Sequence, residues 1–313
     1  MTESNFSVEK EREQIPRILH YFWGGDKDPF SSPGIMRTCY ESWKKFAPDF
    51  EIKRWDESNF DMGSTKFTQY HFNKKLWAMV SDYIRFYALY TEGGIYVDTD
   101  QEICRPLDDL LVYPFFTGFE NPLCTPGEIP TLGLGFVGSV PAHPFSKQMM
   151  EGMERDFLRK RVYMVTVRSR ELLKEKGLTR YGEQNISDGI HLFPYEAFYS
   201  FDPLLQLEGA KKGIQDYPSE EAFMAAGRPF IDPSAYAVHW YRGGWRDSVD
   251  FVYPYPWYQE WWYRFRRLSF YRHVDGFLKH FSLYRRIKEP IHKLRIWMEK
   301  RNSGPTIMRP KKK

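Results

Sequence analysis

Apolar and polar positions in the amino-terminal part of the chain switch repeatedly between the period of a strand and the period of a helix. The elements predicted there are, in chain order, a strand over 17–23, a helix over 33–46, a strand over 50–55, a helix over 73–91 and a strand over 95–97. Gly93 and Gly94 supply the stop signal of the longer helix. This alternation is typical of an α/β fold with parallel strands, whose ligands bind beyond the carboxyl ends of the strands.

The pattern continues less regularly beyond residue 110. Further strands are predicted over 115–120, 134–138 and 236–239, and a helix over 144–161. Residues 165–230 show no clear period. The sequence therefore predicts one α/β unit without fixing its later elements.

Two aspartates, Asp98 and Asp100, follow the strand at 95–97 in the run GGIYVDTD. Residues two apart on an extended chain point to the same side, so the two carboxylates are expected to converge at the strand's end. Carboxylates of this kind bind Mg²⁺ or Mn²⁺ where a diphosphate has to be held and its charge neutralised. Alone, the triplet is weak evidence because aspartate is common in loops.

The helix before this strand carries Asp82 and Arg85, which are three residues apart and share one face. A carboxylate and a guanidinium beside a metal site are suited to sugar hydroxyls and to a phosphate oxygen. The alternative is an intrahelical ion pair that stabilises the helix by about 0.3 kcal/mol.

Charge is distributed unevenly along the chain. Residues 254–313 carry 16 Lys and Arg against 4 Asp and Glu, net +12, whereas residues 1–253 carry 29 against 37, net −8. Aromatic and aliphatic residues recur in the basic segment at helical spacing, as at Trp257, Trp261, Phe265 and Leu268. We interpret 254–313 as a basic amphipathic helical tail that contacts an anionic membrane surface. Helices packed on the first domain and a nucleic-acid surface are the alternatives; no nucleic-acid partner is expected.

Hydropathy and cysteine content narrow the setting. Mean hydropathy is −0.59, and no apolar run approaches the ~18 residues of a membrane-spanning helix. The amino-terminal residues lack the apolar stretch of a secretory signal, and the three cysteines show no paired spacing. We therefore expect a cytoplasmic protein with free thiols, peripheral on the inner face of the plasma membrane.

Taken together, the runs IPRILHYFWGG, ESWKKFAPDFEIKRWDE and SDYIRFYALYTEGGIYVDTD resemble glycosyltransferase family 32. This family with a DxD sugar-binding region includes yeast mannosyltransferases and bacterial capsule and lipopolysaccharide enzymes, with clostridial toxin glucosyltransferases as more distant relatives. The resemblance covers residues 15–120 closely and reappears at 236–245. It implies a GT-A fold with a Rossmann-like mixed sheet flanked by helices, a nucleotide-sugar donor, a divalent metal, and retention of anomeric configuration.

The resemblance also implies roles for particular residues. Asp98 and Asp100 match the family's metal and nucleotide carboxylates. Asp82 and Arg85 match the pair that contacts the donor sugar and its diphosphate. Trp23 matches the tryptophan that stacks on the nucleobase, and an indole face suits a flat base physically. The alternative for Trp23 is a core aromatic at the end of a strand.

The carboxyl-terminal motif of the family corresponds to the run HWYRGGW, which begins at His239. His239 is expected to complete the metal's ligands as a neutral imidazole, or else to be an ordinary packed histidine. Trp245 is expected to donate its indole N–H to the departing diphosphate. The family often has Ser before that Trp, whereas this chain has Gly244, so a hydroxyl ligand is missing from the closing loop.

Less specific predictions concern several other residues. Glu120, Asn121 and the glycines Gly133 and Gly135 are predicted to form the acceptor side of the sugar site. Four histidines share no metal-ligand spacing and are interpreted as structural, namely His20, His71, His143 and His191.

The resulting hypothesis is a retaining, Mn²⁺- or Mg²⁺-dependent hexosyltransferase with a catalytic domain over 1–253 and the tail over 254–313. A UDP-sugar is favoured over GDP-mannose as donor, and a lipid-linked glycan in bacterial surface polysaccharide assembly is the expected acceptor. A protein-modifying, toxin-like glycosyltransferase and a non-catalytic glycan-binding or scaffold protein are the alternatives.

Overall fold

A computed structural model describes residues 14–120, 129–159, 165–207, 213–242, 249–252 and 307–310. The helices are α1 (Ile35–Phe46), α2 (Lys66–Asn73), α3 (Trp77–Glu92), α4 (Pro144–Leu158), α5 (Val165–Glu175), α6 (Pro203–Gln206) and α7 (Glu220–Gly227). The strands are β1 (Ile18–Phe22), β2 (Glu51–Trp55), β3 (Gly94–Val97), β4 (Gln101–Ile103), β5 (Phe115–Phe119), β6 (Leu132–Ser139), β7 (Gln184–Ile186), β8 (Ile190–Phe193), β9 (Ala237–His239), β10 (Val249–Val252) and β11 (Ile307–Pro310).

Seven strands form the main sheet in the order β2-β1-β3-β6-β5-β8-β7. β1 is parallel to β2 and β3, and β5 is parallel to β8, whereas β6 is antiparallel to both of its neighbours. Two further pairs, β4 with β9 and β10 with β11, are antiparallel and lie outside this sheet. The prediction of an α/β fold with a mixed sheet flanked by helices is therefore confirmed.

The sheet buries both of its faces. Along β3, Ile95 and Val97 belong to the cluster that packs with α1 and α7, and Tyr96 belongs to the cluster that packs with α2 to α5. This is the alternation of side chains expected along a strand, and each fully buried aliphatic side chain contributes about 2 kcal/mol. A strand buried on both sides holds its carboxyl end in a fixed place.

One predicted helix was wrong at its start. The pattern predicted a single helix over 73–91, but Lys75 has φ 55, which ends α2, and α3 begins only at Trp77. The predicted stop is confirmed, since Gly93 and Gly94 both have positive φ, 69 and 94. The chain thereby turns directly from α3 into β3.

Helix α1 anchors the strand that follows the acidic motif. The indole N–H of Trp43 donates to the carbonyl oxygen of Gln101 at 2.8 Å, and the backbone N–H of Ile103 donates to the hydroxyl of Ser42 at 2.9 Å. The register of β4 with β9 pairs Gln101 with His239. A residue far along the sequence is thus brought beside residues 98–100.

The basic segment over 254–313 lies outside the described residues except for β11, which pairs with β10. Its predicted helices and its division from residues 1–253 therefore remain predictions. In the part of the chain that the structure describes, none of the helices has both the length and the apolar content needed to cross a bilayer.

Candidate functional site

The acidic motif forms a turn between β3 and β4. The backbone N–H of Asp98 donates to the carbonyl oxygen of Gly135 at 2.8 Å, and the N–H of Gln101 donates to the carbonyl oxygen of Asp98 at 2.9 Å. The sequence analysis expected Asp98 and Asp100 to continue the extended strand. In the structure they lie in the turn instead. Their carboxylates converge all the same, because the tight turn places them at one mouth of the sheet.

Asp98, Asp100 and His239 form a group suited to a metal ion. One potential ligand atom from each lies within 4.8 Å of the others. Ligands that share one Mg²⁺ or Mn²⁺ at about 2.1 Å lie up to about 4.2 Å apart, so small side-chain movements suffice. Two carboxylates and an imidazole are also the donor types that a divalent cation such as Mn²⁺ accepts. The residues present thus fit the metal that the resemblance implies.

The segment after β9 wraps around Asp100. The backbone N–H of Trp240 donates to the carbonyl oxygen of Asp100 at 3.0 Å, and the N–H of Arg242 donates to its Oδ2 at 2.9 Å. Its Oδ1 lies 3.2 Å from Nε2 of His239. Between the two donors, Tyr241 has φ 50, a conformation that is strained for an aromatic residue. The orientation of the Asp100 carboxylate is therefore set from both sides.

Arg85 connects the helix to the acidic turn. Its guanidinium donates to Oδ1 of Asp82 at 3.1 Å and to Oδ1 of Asp98 at 3.0 Å, and it lies over the ring of Tyr96 at 4.7 Å. The side chain is 6% exposed. The ion pair between Arg85 and Asp82 within the helix is therefore present. It is also part of the site, because Arg85 at the same time orients Asp98, a candidate metal ligand.

Neighbouring charges and burial set the protonation of this group. Burial raises the pKa of Asp82 to about 7, and it raises the pKa of Asp98, in both cases against the attraction of Arg85. Burial acts on Asp100 in the same direction, but the charge and hydrogen bond of His239, together with backbone hydrogen bonds such as that from Arg242, outweigh it and lower the pKa of Asp100. Burial alone would lower the pKa of His239, but Asp100 reverses this and raises it to about 9. Asp100 and His239 thus each favour the charged form of the other.

The glycines of β6 leave room for two site side chains. A Cβ atom on Gly135 would lie 2.7 Å from Oδ2 of Asp98, and one on Gly133 would lie 2.1 Å from the ring of Tyr199. The two residues are two apart on a strand and so face the same side. Their predicted role on the acceptor side of a sugar site stays a prediction, whereas the geometry shows that both glycines make space for Asp98 and Tyr199.

Trp23 follows β1 at the sheet edge where the motif lies. Its N–H donates to the carbonyl oxygen of Trp55 at 3.0 Å, and its own carbonyl oxygen accepts from Arg54 at 3.1 Å. The side chain is half-buried and packs against the α1-side cluster. Stacking on a nucleobase therefore stays a prediction, with the backbone of the residue firmly held.

The remaining residues singled out in the sequence fall into two sets. Trp245, Gly244 and Asn121 are outside the described residues. The histidines interpreted as structural have local partners: His20 bonds to Gly93, His71 to Phe67, His143 to Asp188 and His191 to Asn185.

Sequence reasoning missed three residues that the structure places at or beside the site. Tyr199 accepts a hydrogen bond from the N–H of Phe136 at 3.1 Å, and its pKa is raised by burial and then by Glu120 and Asp98. Arg242 bonds to Asp100, and Glu220 bonds to Arg242. The one available signal was the spacing of Gly133 and Gly135, which indicates that bulky side chains approach β6.

Comparison with known proteins identifies the class of this site. Residues 33–116 match the family model described as the glycosyltransferase sugar-binding region containing the DXD motif. The resemblance to family 32 is thereby confirmed for the part of the chain that carries the motif. The mixed sheet, its flanking helices and the acidic turn at a strand's carboxyl end agree with the α/β architecture that the resemblance implies.

Two fungal proteins are similar to part of this chain. The chain is 27% identical over 150 residues to inositol phosphoceramide mannosyltransferase 2 of Schizosaccharomyces pombe, covering 45% of this chain and 39% of that protein. It is 26% identical over 144 residues to mannosyl phosphorylinositol ceramide synthase SUR1 of Saccharomyces cerevisiae, covering 45% and 35%. The matched region thus spans well under half the length of either relative. A solved structure, PaToxG glycosyltransferase, has a TM-score of 0.38 at 16% identity, over 47% of this chain and 63% of that one.

Proposed function

We propose that this protein transfers a hexose from a nucleotide-sugar donor to a glycan or lipid-linked acceptor, with retention at the anomeric carbon. The observation that carries the proposal is the convergence of Asp98, Asp100 and His239 within 4.8 Å in a chain with the DXD region. When bound there, a divalent cation such as Mn²⁺ supplies Lewis-acid stabilisation of the leaving diphosphate.

The chain's own residues orient the reactants. Arg85 fixes Asp98, and the backbone N–H of Arg242 fixes Asp100, so both carboxylates are preorganised to hold the cation that would neutralise the diphosphate. Asp82 is the proposed acceptor of a hydrogen bond from a donor-sugar hydroxyl. The acceptor hydroxyl forms the new bond to the anomeric carbon as the bond to the diphosphate breaks, and its proton passes to the leaving phosphate oxygen.

The relatives alter the expected donor and acceptor. The two named above are fungal mannosyltransferases or mannosyl-lipid synthases, which gives no support to bacterial surface polysaccharide assembly or to a preference for UDP-sugars. Their names specify mannose and a ceramide lipid. We therefore propose mannose as the first sugar to test, and we retain a lipid-linked acceptor.

Release of nucleoside diphosphate tests this function. Purified protein with Mn²⁺ is incubated with GDP-mannose, UDP-glucose and other nucleotide sugars, and the released diphosphate is measured. Asp98→Asn and Asp100→Asn are expected to abolish release, whereas Asp61→Asn, at an exposed loop carboxylate bonded to backbone, serves as the matched control. Release that survives both site substitutions contradicts the metal role, and no release from any donor favours a non-catalytic protein.

The membrane contact of residues 254–313 is a separate proposal. Its support is the net charge of +12 with aromatic residues at helical spacing, together with the lipid acceptors of the relatives. We propose a location at the inner face of the plasma membrane on the same ground, because that surface is anionic. Full-length protein is expected to float with anionic liposomes at low salt, and reversal of Arg285, Arg286 and Lys288 to Glu should abolish flotation. Equal flotation of the variant contradicts the proposal.

A further inference from the structure

Glu220, at the first position of α7, bonds to two separate parts of the chain. Its Oε2 accepts from the backbone N–H of Ile35, the first residue of α1, at 2.7 Å. Its Oε1 accepts from Nε of Arg242 at 2.9 Å. Both oxygens are thus committed, one to the start of α1 and one to the segment that holds Asp100.

The contact with α1 is built closely. No side chain at the α1 N-cap bonds to the helix, and its first turn has no acidic residue, so Glu220 supplies the negative charge that a helix amino terminus favours. Gly34 has φ 134, and a Cβ there would lie 2.4 Å from Oε2 of Glu220. The carboxylate therefore has little freedom to move away from this position.

The contact with Arg242 constrains a strained backbone. Trp240 and Arg242 both donate to Asp100, and Tyr241 between them has φ 50. Such a conformation costs about 1–3 kcal/mol and persists only where the surroundings enforce it. Among the described residues, the bond from Arg242 to Glu220 ties this segment to a rigid element away from Asp100.

We propose that Glu220 is a positioning residue for metal binding. It holds Arg242 so that the backbone N–H of Arg242 fixes Oδ2 of Asp100, which leaves Oδ1 directed to His239, 3.2 Å away, and to the cation. Partners that orient a ligating carboxylate typically account for about 10- to 100-fold in metal affinity. This inference rests on the proposed function only in requiring that Asp100 binds the metal.

The test is the dissociation constant of Mn²⁺ for the full chain, measured by calorimetric titration without any sugar donor. Glu220→Gln is expected to weaken Mn²⁺ binding about 10-fold. Glu221→Gln, at the adjacent exposed position of the same helical turn, should stay within about 2-fold of wild type. Thermal unfolding of each variant is measured alongside to verify folding.

Arg242→Gln is the decisive second variant, because it keeps the bond from Ile35 to Glu220 intact. Removing a cation near the site would by charge alone strengthen the binding of a dication. Mn²⁺ binding is nevertheless expected to weaken about 10-fold, because the backbone N–H of residue 242 is no longer held against Oδ2 of Asp100. The double variant should bind no more weakly than the weaker single variant, since both act through one contact.

The outcomes separate this inference from the proposed function. Wild-type affinity in Glu220→Gln, or weakening in Glu220→Gln but not in Arg242→Gln, overturns the positioning role while the metal site stands. Failure of the wild-type protein to bind Mn²⁺ at all overturns both. Unfolding of Glu220→Gln leaves Arg242→Gln to decide.

Discussion

Two histidines, the buried His20 on β1 and the half-buried His239 on β9, show how differently this fold uses the same side chain. Nδ1 of His20 accepts from the indole N–H of Trp55 at 3.0 Å, and its Nε2 donates to the carbonyl oxygen of Gly93 at 2.7 Å. Nδ1 of His239 has no partner among the described residues, and its Nε2 faces Asp100. A fully bonded neutral histidine stabilises the fold, whereas one with unused capacity beside carboxylates indicates a binding site.

Asp100→Asn tests the binding role assigned to His239 and has the largest expected effect. Asp100→Asn keeps an oxygen for the N–H of Arg242 but removes the charge that attracts His239 and a cation. Turnover should fall about 1000-fold, which corresponds to about 4 kcal/mol of lost transition-state stabilisation. The free energy of unfolding, measured in urea, should fall by no more than about 3 kcal/mol, the amount that the raised pKa of His239 represents. Activity within tenfold of wild type contradicts the account.

His20→Ala tests the stabilising role assigned to His20. The substitution leaves the Trp55 N–H and the Gly93 carbonyl oxygen without their partner and opens a cavity, so the free energy of unfolding should drop by about 3 kcal/mol. Urea denaturation measures the loss. Affinity for Mn²⁺ at a temperature where the variant is folded should match wild type. A loss confined to metal binding would reverse the roles assigned to the two histidines.

The stability that depends on His20 should be lost in acid, whereas the stability that depends on His239 should be lost in alkali. Burial lowers the pKa of His20 to about 4, below the 6.5 of an exposed imidazole. The unfolded chain therefore takes up the proton first, and stability falls by up to about 3 kcal/mol as pH drops from 6.5 to 4. The pKa of His239 is raised to about 9. Its contribution is complete below pH 6.5 and is lost as pH rises through 9.

Urea titrations between pH 4 and pH 9, in the presence of a chelator, measure how the free energy of unfolding changes with pH on the acid and the alkaline side. His239→Gln should remove the alkaline loss. Burial also lowers the pKa of His71 to about 4, so this second histidine adds to the acid slope. An unchanged alkaline slope in His239→Gln would show that its proton is not shared with Asp100.

The smallest expected effect separates the two glycines of β6. Gly135→Ala places a methyl group against Asp98, so Mn²⁺ affinity should fall about 10-fold with little change in stability. Gly133→Ala places one against Tyr199 and should cost about 2 kcal/mol of stability by overpacking. Equal effects of both variants on Mn²⁺ affinity would contradict this division.

The amino-terminal elements were predictable because their apolar periods are regular and their stops are glycines. The start of α3 was not, since the residue that adopts a positive φ before it is Lys75 and not a glycine. Strand directions were also beyond the pattern: a buried antiparallel strand such as β6 has the same continuous apolar run as a parallel one.

The same division applies to the site. Asp82, Arg85, Asp98 and Asp100 lie within one short stretch, so helix and turn spacing suffice to bring them together. Glu220 and Arg242 reach the site only through long-range packing; Arg242 and Asp100 are 142 positions apart in sequence. No local signal specifies such a contact, because it depends on the register of β4 with β9.

The most direct test of the central claim is the affinity of GDP and UDP for the protein with and without Mn²⁺, measured by calorimetry. The account predicts that one of these nucleotides binds about 100-fold more tightly with Mn²⁺, and that Asp98→Asn and Asp100→Asn both abolish the difference. Nucleotide affinity that is the same with and without the metal, in wild type and in both variants, would contradict it.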